Sequence, residues 1–173
     1  RMLYDFIGQD YFMEGVRNYL NKFSYANAKT NDLWNEINQV VQEKNFRYNF
    51  LTVGRDDQNV NINTMMSSWT KIQGYPVVFI EETHSGNTEL GRRTFKLTQA
   101  LFGDIDSTMV KENRTLWQIP INVLNGGFVS NYETTSPLSV YYMEKESMEV
   151  EIPASAHDLF IRFNAGQRGV YRC

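Results

Sequence analysis

Trp69-Thr70-Lys71-Ile72-Gln73-Gly74-Tyr75-Pro76-Val77-Val78-Phe79-Ile80 is the stretch where this chain changes character. Ahead of it, Met65, Met66, Trp69 and Ile72 recur at the 3.6-residue spacing of one helix face. Gly74 stands where a helix end wants a residue tolerant of positive φ, so the helix is predicted to run to Gln73. Pro76 then blocks its resumption, and the β-branched and aromatic run Val77 to Ile80 reads as a strand. The part before Gly-Tyr-Pro is therefore expected to be helical and the part after it to be built of strands.

Working back from this joint, three more helical patterns appear. Met2, Leu3, Phe6 and Ile7 form one apolar face that Gly8 ends. Asp10 is placed to cap a second helix with Phe12, Val16, Tyr19 and Leu20 on its face. A polar connection from Ser24 to Lys29 follows, broken by Tyr25. Thr30 is expected to cap a third helix with Asp32 in its favourable first turn and Leu33, Trp34, Ile37, Val40 and Val41 as its stripe. Residues 43–61 are polar, with Gly54 and Asp56-Asp57, and are expected to form a surface insertion.

Working forward, the period drops to two. Phe95, Leu97, Gln99 and Leu101 share one face, as do Trp117, Ile119, Ile121 and Val123, where Pro120 argues for an edge strand or a bulge. Leu138, Val140 and Tyr142 form a further face, then Met148, Val150 and Ile152, then Leu159, Ile161 and Phe163, then a last strand from Val170 to Cys173. Turns are expected at Ser85-Gly86-Asn87, Asn125-Gly126-Gly127, Ser136-Pro137, Pro153 to Ser155 and Asn164-Ala165-Gly166. The fold class is α+β: a helical segment followed by an antiparallel β-sandwich of about seven strands.

Composition narrows the function classes. At 173 residues, 42% hydrophobic and 14% aromatic, the chain has material for a genuine core. Its net charge of −3 and pI near 5.4 give no basic face for nucleic acid. No apolar run nears the length of about 18 residues that a membrane span needs, and no signal peptide pattern occurs. One cysteine, Cys173, leaves no internal disulfide. Because the chain opens on Arg1 inside a helical pattern, it is expected to be a piece of something longer.

The residues that might carry chemistry do not assemble into a motif. His84 and His157 lie far apart, and Glu81-Glu82-Thr83-His84 reads as a solvated strand end, since a metal site needs three or four ligands and no H-E-x-x-H occurs. Cys173 reads as a buried or edge thiol rather than a nucleophile. There is no G-x-S-x-G, P-loop or G-x-G-x-x-G. Asp104 and Asp106 fit a solvated turn, Lys111 to Arg114 a mixed-charge loop. Asn113-Arg114-Thr115 is an N-glycosylation sequon, making Asn113 a glycan acceptor if the protein is secreted. No catalytic, metal-binding or cofactor-binding residue is assigned.

Several stretches nevertheless resemble, in order, those of one family. They are Arg1-Met2-Leu3 with Phe12-Met13-Glu14-Gly15-Val16-Arg17-Asn18-Tyr19-Leu20, Tyr25-Ala26-Asn27-Ala28-Lys29-Thr30-Asn31-Asp32-Leu33-Trp34, and Trp69-Thr70-Lys71 with Gly74-Tyr75-Pro76-Val77. Leu97-Thr98-Gln99-Ala100-Leu101-Phe102 follows, with Leu101 where the pattern has arginine, then Leu116-Trp117-Gln118-Ile119-Pro120-Ile121, then Asn164 with Gly169-Val170-Tyr171-Arg172. Together they are similar to the aminopeptidase N-like zinc metallopeptidases, the gluzincin aminopeptidases, over all but residues 43–61. The resemblance implies that 1–74 are the last helices of a thermolysin-like catalytic domain and 75–173 the following β-sandwich domain, ahead of a C-terminal helical domain.

In that family, zinc is held by H-E-x-x-H and a distant glutamate, G-A-M-E-N grips the substrate's amino group, and a Y-x-K-G tyrosine stabilises the oxyanion. On this pattern all of them precede Arg1, the tyrosine by about eight residues. The implied parent is a zinc aminopeptidase acting on peptide substrates. This segment would be its inactive scaffold and spacer, binding no zinc and packing on the missing catalytic and C-terminal helical domains. An exposed apolar patch on the first helix, at Met2, Leu3, Phe6 and Ile7, is the expected mark of that packing. The alternative is a non-catalytic peptide- or protein-binding module from a truncated or divergent relative. The sequon favours the extracellular face of the plasma membrane, with the cytoplasm as the other possibility.

Overall fold

A computed structural model describes residues 1–44, 46, 60–84, 92–103, 116–126, 139–153 and 160–173. Four helices come first: α1 (Met2–Ile7), α2 (Gln9–Lys22), α3 (Thr30–Glu43) and α4 (Ile62–Thr70). Six strands follow: β1 (Pro76–His84), β2 (Arg92–Leu101), β3 (Ile119–Gly126), β4 (Ser139–Met143), β5 (Ser147–Pro153) and β6 (Phe160–Phe163). The strands form two antiparallel three-stranded sheets, ordered β1-β2-β5 and β4-β3-β6. Six strands, not about seven, are thus found among the described residues. The expected last strand, Val170 to Cys173, is reduced to a parallel bridge between Val77 and Arg172, with Val170 exposed.

The two sheets share one core. Val78, Phe95, Leu97, Val150 and Ile152 enter it from the first sheet, and Ile119, Ile121, Val123, Tyr141 and Met143 from the second. Strand alternation supplies these sets, since every second side chain points to the same face. In β4 both faces are used. Tyr141 and Met143 point into the sheet-to-sheet core, whereas Tyr142 packs with Met2, Leu3, Phe6 and Ile7 of α1 and with Ile37, Val41, Ile62 and Met65, and Val140 leans on the same cluster. The molecule therefore has three layers, with the β4-β3-β6 sheet in the middle.

This layering corrects the expected exposure of α1. Its face is buried, with Phe6 stacked on Tyr142 at a ring separation of 5.9 Å and Ile7 only 2% exposed. The exposed helix is α2, where Gly15 alone is buried and Leu20 is 61% exposed. Gly15 lets α2 lie tightly on α3, because a Cβ there would sit 2.7 Å from the Ile37 Cα.

Helix ends differ from expectation by small steps. Gly8, at φ 86°, precedes α2 directly, so Asp10 lies inside the first turn instead of capping it. Thr30 is the first residue of α3; the cap position is Lys29, whose N–H donates to the Asp32 carboxylate at 2.7 Å. The third-helix stripe holds: Ile37, Val40 and Val41 are buried, and Leu33 and Trp34 partly so. α4 stops at Thr70 rather than Gln73, and its start is capped by the Asn61 side chain accepting from the Thr64 N–H. Gly74 does adopt positive φ, at 95°, but four residues beyond the helix, where its bare α-carbon admits the Leu101 side chain.

Pro120 lies in β3, the middle strand and not an edge. It is tolerated because β6 pairs only with Val123 to Gly126, so at Pro120 only β4 pairs with the strand, through Tyr142. Asn125 and Gly126, expected in a turn, continue β3 opposite Ile161 and Phe160. Asn164-Ala165-Gly166 is a turn as expected, with Asn164 left-handed at φ 50°. Of the insertion expected at 43–61, residues 45 and 47–59 lie outside the described residues, as do the turns at Ser85-Gly86-Asn87 and Ser136-Pro137.

Candidate functional site: the joint between helices and sheets

The residues that converge most closely are polar, neutral and at the joint. Leu116-Trp117-Gln118 runs into β3 between α4 on one side and β2 on the other. Toward α4, the Trp69 indole N–H donates to the Gln118 carbonyl at 2.9 Å, and the Gln118 N–H donates to Ser68 Oγ at 3.1 Å. The Ser68 hydroxyl donates in turn to the Met65 carbonyl at 2.7 Å, and the Tyr142 hydroxyl to Gln118 Oε1 at 2.6 Å.

Toward β2, Gln99 is 3% exposed and uses its whole amide. Its Nε2 donates to the carbonyls of Trp117, at 3.0 Å, and Lys145, at 2.9 Å, while its Oε1 accepts from the Trp117 N–H at 2.9 Å. A buried amide with partners on both ends pins the approach to β3 and the β4–β5 connection to β2 at once, and losing it would leave backbone groups bare at about 1–3 kcal/mol each. Gln99 was legible as one polar member of the Phe95, Leu97, Gln99, Leu101 face; Ser68 and Gln118 gave no such signal. Chemically the arrangement holds backbone in register. The Ser68 and Tyr142 hydroxyls and the Gln99 amide are already committed to hydrogen bonds, and no thiol, imidazole or carboxylate stands among them.

The charged groups are elsewhere. Glu82 is gripped by Arg93 through two contacts of 2.8 and 2.7 Å, which hold its carboxyl below the usual range, and the Arg93 guanidinium lies 5.2 Å from the Phe95 ring centre. One of the two acidic members of Glu81-Glu82-Thr83-His84, Glu82, is thus consumed by an ion pair, and His84 falls beyond a register shift opposite Thr94. Lys22 pairs with the buried Glu36 at 2.5 Å, and Lys44 with Glu14, an exposed pair in which the carboxylate raises the lysine. Tyr171 is buried, which pushes its phenol up. Cys173 is exposed, contrary to the expected buried or edge thiol, yet its thiol is shielded enough to be pushed up to about 11. A thiol so raised is protonated at neutral pH and a poor nucleophile. His157, Asp104, Asp106, Lys111 to Arg114 and the sequon at Asn113 lie outside the described residues. Among the described residues no three His, Cys, Asp or Glu side chains converge as a zinc ion requires, so those residues do not fit the metal.

Comparison with known proteins gives these features a lineage. Residues 1–69 match the peptidase family M1 domain. Aligned over 99% of its length, the chain is 29% identical to the thyrotropin-releasing hormone-degrading ectoenzyme of Homo sapiens and 27% identical to the puromycin-sensitive aminopeptidase of Caenorhabditis elegans. Over 98% it is 24% identical to endoplasmic reticulum aminopeptidase 2 of Homo sapiens. It spans 15% of the length of the first two relatives and 18% of the third. The helical layer matches the family domain and the alignments to these aminopeptidases run on through the strands, which supports an M1 aminopeptidase family fragment.

Proposed function

We propose that this chain is the non-catalytic joint of a zinc-dependent aminopeptidase, a scaffold that holds catalytic-domain helices on a β-sandwich and spaces them from a further helical domain. In this reading 1–74 belong to the catalytic domain and 75–173 to the sandwich domain, and the zinc and peptide-binding groups belong to the rest of the parent. The observation that carries it is the joint itself. Its polar cluster spends most of its donors and acceptors on backbone, tying α4, β2 and β3 together, which suits a load-transmitting joint and not a site that must exchange ligands.

The purified chain, supplied with zinc, is expected to release no chromophore from an aminoacyl-anilide and to retain less than one zinc per chain after dialysis. Peptide hydrolysis needs an activated water and a stabilised oxyanion, and tight zinc binding needs three or four ligands. Zinc-dependent turnover by this chain would overturn the scaffold reading. A second reading, a binding module from a relative lacking the metal motif, is favoured by the exposed side of α2, where Met13 and Leu20 are 46% and 61% exposed. Sequence preceding Arg1 decides between them: H-E-x-x-H and Y-x-K-G there support the enzyme, and their loss supports the module.

A further inference from the structure

Residues 164–172 touch all three layers in turn. The segment leaves β6 at Asn164, whose left-handed backbone reverses the chain. The Asn164 side chain locks the reversal: Nδ2 donates to the carbonyls of Gly169, at 3.3 Å, and Tyr171, at 2.9 Å, and Oδ1 accepts from the Gly169 N–H at 2.9 Å. Gly169 is required there, since a Cβ would fall 2.0 Å from the Tyr171 ring. At one end, Arg168 reaches α1 and bonds Asp5 at 3.2 Å, with side chains only 20% and 14% exposed. At the other end, Arg172 joins β1: its carbonyl accepts from the Val78 N–H at 2.7 Å and its N–H donates to the Pro76 carbonyl at 3.3 Å. The Arg172 guanidinium also covers Phe102, which stacks on Tyr75 beside Gly74. Between the two ends, Tyr171 is buried in the sheet-to-sheet core.

We infer that 164–172 form a two-ended strap coupling α1 to the start of β1, so that releasing Arg168 from Asp5 loosens the Arg172 bridge as well. The strap deepens the scaffold reading and rests on it: it is a means by which the sandwich steadies the helical layer from the outer sheet. Coupling follows from geometry. Only three residues lie between Arg168 and Arg172, Tyr171 is wedged among them, and the Asn164 amide binds the backbone of both Gly169 and Tyr171.

Native-state hydrogen exchange on the 173-residue chain tests it. Two amides report on the ends: Gly8, bonded to the Tyr4 carbonyl, and Val78, bonded to Arg172. Arg168→Ala and Asp5→Asn are each expected to speed exchange at Gly8 about tenfold and at Val78 several-fold, while amides of β2 and β5 keep their rates. Arg168→Lys should fall between wild type and Arg168→Ala, because it keeps charge but loses the guanidinium fork. The strap is overturned if Val78 is unchanged when Gly8 accelerates, if Gly8 is unchanged in Arg168→Ala, or if every strand accelerates equally. The zinc and anilide assay on the same preparation tests the scaffold reading separately, because turnover would leave these exchange ratios untouched.

Discussion

The two sheets bury their shared core from both sides, whereas the helical layer is covered on one side only. Between the sheets, Leu97, Ile119, Ile121, Tyr141 and Met143 are all at 0% exposure, with Trp69 and Ile72 closing the core at its helical end. In the helical layer, α1, α3 and α4 are buried against the middle sheet, but α2 rests on α3 through Gly15 and turns Met13 and Leu20 outward. The contrast between α1 and α2 is the sharper because Gly8 alone separates them. A six-residue helix with no capping side chain buries four residues, while a fourteen-residue helix buries one. Helix length and amphipathic pattern therefore do not decide which helix is core; contact with the middle sheet does. Most helix stability in proteins comes from such packing rather than from propensity.

The largest effect should come from the closed core. Trp117 is 2% exposed between the sheets, and Trp117→Ala is expected to cost about 3–5 kcal/mol. Urea melts followed by circular dichroism measure it; a loss below about 1 kcal/mol would mean the sandwich core repacks freely and the contrast with the helical layer is false.

The joint between the regions should respond less. Gly74→Val puts a β-branched residue at φ 95° and a Cβ 2.6 Å from Leu101 Cδ1, for an expected loss of about 1–3 kcal/mol. Gly74→Ala should lose less, since it adds one methyl group and keeps a simpler side chain. Equal melting of wild type and both variants would remove Gly74 from the joint.

The smallest effect belongs to the uncovered helix. Leu20→Ser on α2 is expected to change stability by no more than about 0.5 kcal/mol, because the leucine is already in water. A loss several times larger, seen by the same melts, would show that α2 is covered in solution, which a concentration series in sedimentation would trace to self-association.

Much of this was legible from residue order. The switch of period at Gly74-Tyr75-Pro76 located the change from helices to strands, because side-chain period is a local property of backbone geometry. The inward faces of β2 and β5, the α3 stripe and the turn at Asn164-Ala165-Gly166 are local in the same sense. The collinear matches marked the family. What was not legible depended on distant partners. Pro120 was read as marking an edge strand or a bulge, but it is the extent of β6 that leaves room for it. The α1 face was read as bare, yet Tyr142, far along the chain, covers it. The strap needed Arg168 and Asp5 to meet across 163 positions of sequence, which no local pattern encodes.

By itself, then, the sequence determined most of the element types, most of the inward faces and the lineage, since each is written in neighbouring residues or in their order. Only the tertiary structure decided which sheet lies in the middle, which helix is left uncovered and what Gln99, Ser68 and Arg168 hold. Those depend on which surfaces meet, and burial is a property of the pair in contact, not of either partner alone.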